Sequence, residues 1–458
     1  MSDEGLRAAR QAMHDAHVDP LTVEVFSSYY RQLEAGATGL VPEASIVPFD
    51  DPPRLDAVAV DDDEARAALA KTVIVKLNGG LGTSMGLAQA KSLLPLREGR
   101  TFFDLLATQV LAARERWGAR LPVVFLNSFR THDDTLAALE PYPQLPVDGL
   151  PCDVLQSQVP KLRADDLTPV SWPPDPELEW CPPGHGDVYP ALLSAGVLDQ
   201  LLDAGFAYAS TSNSDNLGAG PDAQIAGWFA ATGAPFAVEL CQRTLMDRKG
   251  GHLAVRRADG RIVLREVAQT PPDELDLFCD INRHRYFNTN NLWWDLAALR
   301  AALHDHRGVL GLPLIRNLKT VDPTDPTSPQ VIQVESAMGA AVEVFDGATA
   351  IVVDRSRFLP VKTTDELALL RSDAYEVTDD ARLHLVADQA PVVELCDAYR
   401  TIDAFEARFG QGVPSLRRAT ALRVLGDWTF GKDVTILGDV TLGPFGGAIP
   451  GGTTLHGV

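Results

Sequence analysis

Positive charge is scarce in this 458-residue chain: 40 Lys and Arg stand against 62 Asp and Glu, a formal net charge of -22. Such an excess opposes non-specific attraction to nucleic acid or to an anionic membrane. Neither is expected as a partner, and an anionic ligand would need cations gathered locally. Cysteine is sparse too. Cys152, Cys181, Cys241, Cys279 and Cys396 are scattered, odd in number and without a CxxC pair, which argues against a disulfide framework or a zinc site and leaves them as small buried hydrophobes. No apolar run approaches the roughly 18 residues of a membrane span. The opening "MSDEGLRAARQ" has no apolar core of a secretory signal, so a cytoplasmic location is expected.

The length exceeds what one hydrophobic core sustains, so two or three domains are expected. Asp19 and Pro20 read as an N-cap and first-turn proline for an amphipathic helix carrying Phe26, Tyr29, Tyr30 and Leu33 up to Gly36. The proline- and aspartate-rich span 47–64 reads as a wrapping linker. From residue 72 the pattern becomes "TVIVKL", then "TFFDLLATQVLAARERWG" closed by Gly118, then "LPVVFLNS". Strand, helix and strand at that spacing make a βαβ unit and favour a parallel sheet, which runs near "AYASTSNSDN" and "PFAVELC" continue. Toward the end, Leu422, Trp428, Val434 and Val440, with Val424, Phe430, Ile436 and Leu442, form two apolar series stepping by six. That period predicts a parallel β-helix, with an ordinary meander as the alternative.

The stretch "VKLNGGLGTSMG" (75–86) empties the first strand into a glycine-rich loop. At the carboxyl end of a parallel sheet, bare backbone can approach a ligand and its N–H groups can cradle anionic oxygens. Lys91 lies too far on for a GxxxxGK[ST] loop, and a purely structural turn remains the alternative on local pattern. Gly80-Leu81-Gly82 begins like a dinucleotide fingerprint. The acidic residue such a site needs about 20 positions on is not in a fitting strand, because Asp104 falls in the next helix.

"KLNGGLGTSMG" with its following "KS", "PPGHGDVY", "SNSDNLGA", "FNTNNLWW", "ESAMGAAVEVF" and "RSRFLPVKTTDEL" occur in that order along almost the whole chain. Together they resemble the eukaryotic-type UTP–glucose-1-phosphate uridylyltransferase (UDP-glucose pyrophosphorylase) family. The resemblance implies an α/β fold: a Rossmann-like, mixed or parallel-sheet nucleotidyltransferase domain of GT-A-like kind, with a C-terminal left-handed parallel β-helix. The implied division is a helical, wrapping segment over 1–70, a catalytic domain over 71–375 and the β-helix domain over 376–458. The implied reaction is attack of glucose 1-phosphate on the α-phosphate of UTP, giving UDP-glucose and pyrophosphate. Its nucleophile is already ionised, so it needs positioning, positive charge and a divalent cation rather than a general base. Mg²⁺ suits that role. A homo-oligomer through the C-terminal domain stays open, since some members assemble there and others are monomers.

Residue by residue, the resemblance gives Asp215 to the metal, although an isolated "SDN" reads equally as a cap or Asx-turn. Lys91 matches the lysine on the triphosphate and Lys362 the lysine reaching the reacting phosphates from the far side. Lys76 is a secondary candidate. Leu77, Asn78, Gly79 and Gly80 would lie along the nucleotide. Gln156 matches the uracil-pairing glutamine, whose amide can both donate and accept, and Gly184 lets main chain approach the base. Asn213 and His185 would sit between nucleotide and sugar phosphate, with His185 binding rather than catalysing. Gly250, Gly251, Asn288, Asn290 and Glu335 fall to the sugar.

The chain departs from the family pattern in two loops: Gln89-Ala90 replaces the glycine-proline before the lysine, and "SQVPK" replaces "SRxPR". A relative using N-acetylglucosamine phosphate or several sugar phosphates would share the glycine loop and the aspartate. A scaffold without activity would have lost Lys91, Asp215 or Lys362, and all three are present.

Overall fold

Strand β1 (Thr72–Leu77) is β-branched and buried almost throughout, which suits the middle of a sheet covered on both faces. The computed structural model describes residues 2–457. In it β1 joins β2 (Val123–Asn127), β3 (Asp153–Leu155), β4 (Tyr208–Asn213), β5 (Phe236–Gln242), β6 (Tyr286–Asp295) and β7 (Thr349–Val352) in a seven-stranded sheet of order β7-β5-β6-β4-β1-β2-β3. Strand β6 runs antiparallel to both neighbours, while the other pairings are parallel. The expected parallel sheet is therefore present but mixed, with β6 inserted between the two strands predicted to extend it.

Alternation along the strands feeds two cores. Ile74, Val123, Phe125 and Trp293 enter one, and Val73, Val75, Val124 and Trp294 the other. Each such side chain contributes roughly 1.5–3 kcal/mol when fully buried. The helix Phe102–Trp117 links β1 to β2. A Thr101–Asp104 capping box starts it, and Gly118, at φ +63°, ends it.

The helix Pro20–Glu34, which follows a first helix over Ser2–Asp15, begins where the sequence places it, with the Asp19 carboxylate accepting from Leu21 N. Its Phe26, Tyr30 and Leu33 pack against Val159, Cys181 and Val334. The linker expected over 47–64 ends early. Asp61 caps a helix over Asp62–Ala70 by accepting from Asp63 N and Glu64 N, and acidic residues in a first turn complement the helix dipole. Of the cysteines, all free thiols, Cys181 and Cys241 are buried; Cys152, Cys279 and Cys396 are half-buried, short of the burial expected.

At the C-terminal end, β8 (Val392–Leu395), β9 (Ser415–Val424), β11 (Thr435–Leu442) and β13 (Thr454–His456) form one sheet, and β10 (Trp428–Phe430) with β12 (Gly447–Ile449) a second. Every pairing in them is parallel. Leu422 stacks on Val440 and Val424 on Leu442, eighteen residues or three hexads apart, as the six-residue period requires. Val434, Ile436 and Val440 belong to the same buried cluster as Ile74 and Phe103, so this unit docks on the face of the central sheet that Lys76 also points toward.

Candidate active site

The carboxyl ends of β1, β2 and β4 are in step: Leu77 pairs with Leu126 on one side and Asn213 on the other. Above them opens a cavity of ≈ 280 Å³ lined by Leu77, Asn78, Gly79, Gly80, Leu81, Lys91, Ser92, Leu126, Gln156, His185, Asn213, Ser214 and Asp215. Nine of the positions singled out in the sequence meet here: Leu77, Asn78, Gly79, Gly80, Lys91, Gln156, His185, Asn213 and Asp215. Leu81, Ser92, Leu126 and Ser214 were missed. Leu126, in the second buried strand, was legible as the residue level with Leu77 once parallel pairing was assumed.

The glycine loop folds back on itself. Leu81 and Ala90 form an antiparallel bridge, and Lys91 N donates to the Gly80 carbonyl at 3.3 Å, which returns Lys91 to the loop's start although eleven residues separate it from Gly80. Ala90 N donates to Asp134 Oδ2 at 3.2 Å. A proline at that position has no N–H and could not make this bond, so the departure from the family's glycine-proline carries its own tether. Gly79 leaves room for the Gln156 amide: a Cβ there would lie 2.8 Å from Gln156 Oε1 and push that side chain aside. The Asn78 amide nitrogen is spent on Asn127 Oδ1 at 3.0 Å and Thr135 Oγ1 at 2.8 Å, which anchor the loop from below.

Lys91 Nζ and Asp215 Oδ2 form an ion pair at 2.6 Å on the cavity wall, both largely shielded from solvent. Ser214 seats the Asp215 turn on β1 through two bonds to the Leu77 carbonyl, from N at 3.0 Å and Oγ at 2.9 Å. Lys76 does not join them. Its buried ammonium donates to Ser212 Oγ at 2.7 Å and the Ala219 carbonyl at 3.0 Å beneath the turn. Burial, reinforced by the Arg357 charge, pulls its pKa down to about 7.

Gln156 reaches the loop that carries His185. Gln156 Nε2 donates to the Gly184 carbonyl at 2.9 Å. Gly184 itself is not on the cavity wall; at φ +83°, a Cβ there would lie 2.4 Å from the Ser336 carbonyl oxygen. Asp187 was not singled out; it accepts from Ser157 N at 2.7 Å and so fixes the residue after Gln156. The His185 ring accepts from Met338 N through Nδ1 at 3.0 Å, and burial pulls its pKa down to about 4. The ring is therefore neutral near pH 7, with its proton on Nε2, a fixed donor.

A second group of expected residues gathers apart from this cavity. Asn288 N donates to the Gly251 carbonyl at 2.8 Å, Asn288 Nδ2 to Asn290 Oδ1 at 2.9 Å, and the Gly250 carbonyl accepts from Arg243. Asn290 holds a left-handed φ of +59°. Among them lies Glu266, which sequence reading missed because it is one charged residue after a strand. A Cβ on Gly251 would sit 2.4 Å from its carboxylate. Burial pushes Glu266 up to about 7, against the pull of the Lys362 and Arg243 charges and an Asn288 hydrogen bond. Lys362 is exposed, with Nζ 5.7 Å from the centre of the Phe358 ring. Glu335 stands elsewhere, 3.9 Å from Lys319 Nζ and with its Cβ against Gly184.

A glycine loop at the carboxyl ends of parallel strands, with a lysine and a carboxylate on the wall, defines an α/β protein built to hold a nucleotide at the switch region of its sheet. The chain belongs to the UTP–glucose-1-phosphate uridylyltransferase family, whose model matches residues 23–437. It is 38% identical over 420 residues to UTP–glucose-1-phosphate uridylyltransferase of Solanum tuberosum, covering 90% of this chain and 84% of that one. The structure superposes on UDP-glucose phosphorylase from Trypanosoma brucei with a TM-score of 0.91, 41% identity and coverage of 99% and 98%. With a point mutant of UDP-glucose pyrophosphorylase from Leishmania major, in complex with UDP-glucose, the TM-score is 0.93 at 40% identity, covering 100% and 99%.

Proposed function

We propose that the protein makes UDP-glucose and pyrophosphate from UTP and glucose 1-phosphate, by direct in-line attack of the sugar phosphate on the α-phosphorus. The observation that carries this reading is the convergence of the Gly79–Gly80 backbone, Gln156, Lys91 and Asp215 on one cavity in a chain of this family. Gln156 and the Gly184 turn read the base; the glycine backbone and Lys91 hold the phosphates. His185, a poor proton acceptor at a pKa of about 4, donates Nε2–H to phosphate or sugar oxygen. Asn288, Asn290, Gly250, Gly251 and Glu266 take the hexose hydroxyls, with Glu335 at the turn beside Gly184. Lys362 approaches the reacting phosphates from the sugar side.

Asp215 fits a metal that arrives with its substrate. Among the described residues no cluster of three or more metal-ligating side chains occurs, and Mg²⁺ needs few protein carboxylates when phosphate oxygens and waters complete its shell. Bound there, Mg²⁺ supplies charge neutralisation between the two anions. Lys91 holds the Asp215 carboxylate in place at 2.6 Å. We also assign the division 1–70, 71–375 and 376–458, and read the C-terminal stack as a left-handed parallel β-helix, supported by its eighteen-residue register.

Pyrophosphate release across a matrix of nucleoside triphosphates and sugar 1-phosphates tests the reading. Fastest turnover with UTP and glucose 1-phosphate is expected. Preference for N-acetylglucosamine 1-phosphate would replace the sugar assignment, and no turnover with any hexose phosphate in metal-replete protein would end it. Lys362→Ala should lower kcat by about 10²–10³-fold while UTP affinity changes little, as for a group acting on transition-state charge; equal loss in both would contradict its role.

A further inference from the structure

Asp215 and Lys362 come from separate segments, the turn after β4 and the loop that follows β7. A buried side chain ties those segments together. Asn216 is 3% exposed. Its Oδ1 accepts from Leu359 N at 2.8 Å and Gly218 N at 3.2 Å, and its Nδ2 donates to Asn291 Oδ1 at 3.0 Å and the Arg357 carbonyl at 3.2 Å. An amide offers two donors and two acceptor sites, and all four are used. One of those bonds is the local turn that "SDN" advertises. The other three cross to β6 and to the segment leading into Lys362.

The partners are themselves held. Asn291 Nδ2 donates to the Arg357 carbonyl at 3.1 Å and to Glu239 Oε2 at 3.0 Å, and the Arg357 guanidinium grips Glu239 with bonds of 3.0 and 2.7 Å. Glu239, wholly buried, also accepts from Trp293 Nε1 at 2.9 Å. Nothing here can shift without stranding a buried polar group. An independent contact brings the segments together: a Cβ on Gly218 would lie 2.3 Å from the Ser356 carbonyl oxygen.

We infer that Asn216 is a positioning residue that fixes the spacing between the Asp215 carboxylate and the Lys362 ammonium, and with it the alignment of the reacting phosphates. This rests on the roles proposed for Asp215 and Lys362. Misplacing groups that must act in line costs rate far more than affinity.

A double-mutant cycle on the full-length protein tests it, reading kcat, KM for each substrate and thermal midpoint for Asn216→Ala, Lys362→Ala and the pair. Asn216→Ala is expected to lower kcat roughly 10- to 100-fold with KM for UTP within about threefold. In the Lys362→Ala background the same change should cost no more than about threefold, because the group it positions is gone. Losses that multiply, or a drop in thermal midpoint with kcat intact, would overturn the inference. Full turnover by Lys362→Ala alone would instead overturn the Lys362 reading and take the inference with it. Asn216→Asp keeps the shape and the accepting oxygen but puts a carboxylate oxygen where the amide donates to Asn291 and Arg357; it is read in the same cycle if Asn216→Ala does not fold.

Discussion

At the scale of single residues, neighbours in sequence have parted company by facing opposite sides of β1. Leu77 lines the cavity while Lys76, one residue earlier, is drawn beneath the Asp215 turn. The two-residue period of a strand makes that division legible, whereas the resemblance alone offered both as ligand contacts. The buried ammonium has a pH signature. Its pKa of about 7 lies below the ordinary 10.5, so between those values the unfolded chain holds the proton more firmly and the folded state gains stability as pH rises. Lys76→Met should erase that gain: the thermal midpoint of the parent relative to the variant should climb between pH 7 and pH 10. A difference that stays flat across that window would mean the ammonium is not desolvated as described. Glu266 was illegible for the opposite reason. Nothing local distinguishes a carboxylate aimed into a loop formed by Gly251 from one facing water, because the partners come from other segments.

At the scale of elements, local connection separates what was readable from what was not. The first strand, its capped helix and the second strand follow from covalent order, alternation and caps that act within a turn. The insertion of β6 between β4 and β5 depends on which distant strands pair, and strand pairing answers to tertiary context more than to local preference. The asparagines of "FNTNN" lie within β6 rather than at its end; its last residue, Asp295, caps the helix Leu296–Asp305. Two glycines, in the loops proposed to meet the base and the phosphates, should respond differently to a methyl group. Gly184→Ala collides with the Ser336 backbone and has a positive φ, so it should displace the carbonyl that Gln156 holds and raise KM for UTP about tenfold or more, on the order of 1–3 kcal/mol of strain. At Gly80 a Cβ would meet nothing within 4 Å. Gly80→Ala should therefore leave the thermal midpoint unchanged and still weaken UTP binding, since the methyl enters the space where main chain meets phosphate. Unimpaired UTP binding by Gly80→Ala, measured by calorimetry, would remove the glycine loop from the nucleotide site.

At the scale of the whole molecule, the hexad repeat announced the parallel C-terminal stack, because a period sustained over four repeats outweighs any single propensity. How that stack docks was not legible: its apolar edge enters the same core as the helix Phe102–Trp117, and a docking face carries no period of its own. With a net charge of -22, holding two anionic substrates together requires cations placed at the site itself, the part proposed for Lys91 and Lys362. Direct displacement at the α-phosphorus is the central claim, and its stereochemistry is the most direct test. A single diastereomer of UTP carrying sulfur on the α-phosphorus should give the corresponding α-thio analogue of UDP-glucose with inverted configuration at that atom. Retention would reveal a covalent nucleotidyl-enzyme intermediate and contradict the account.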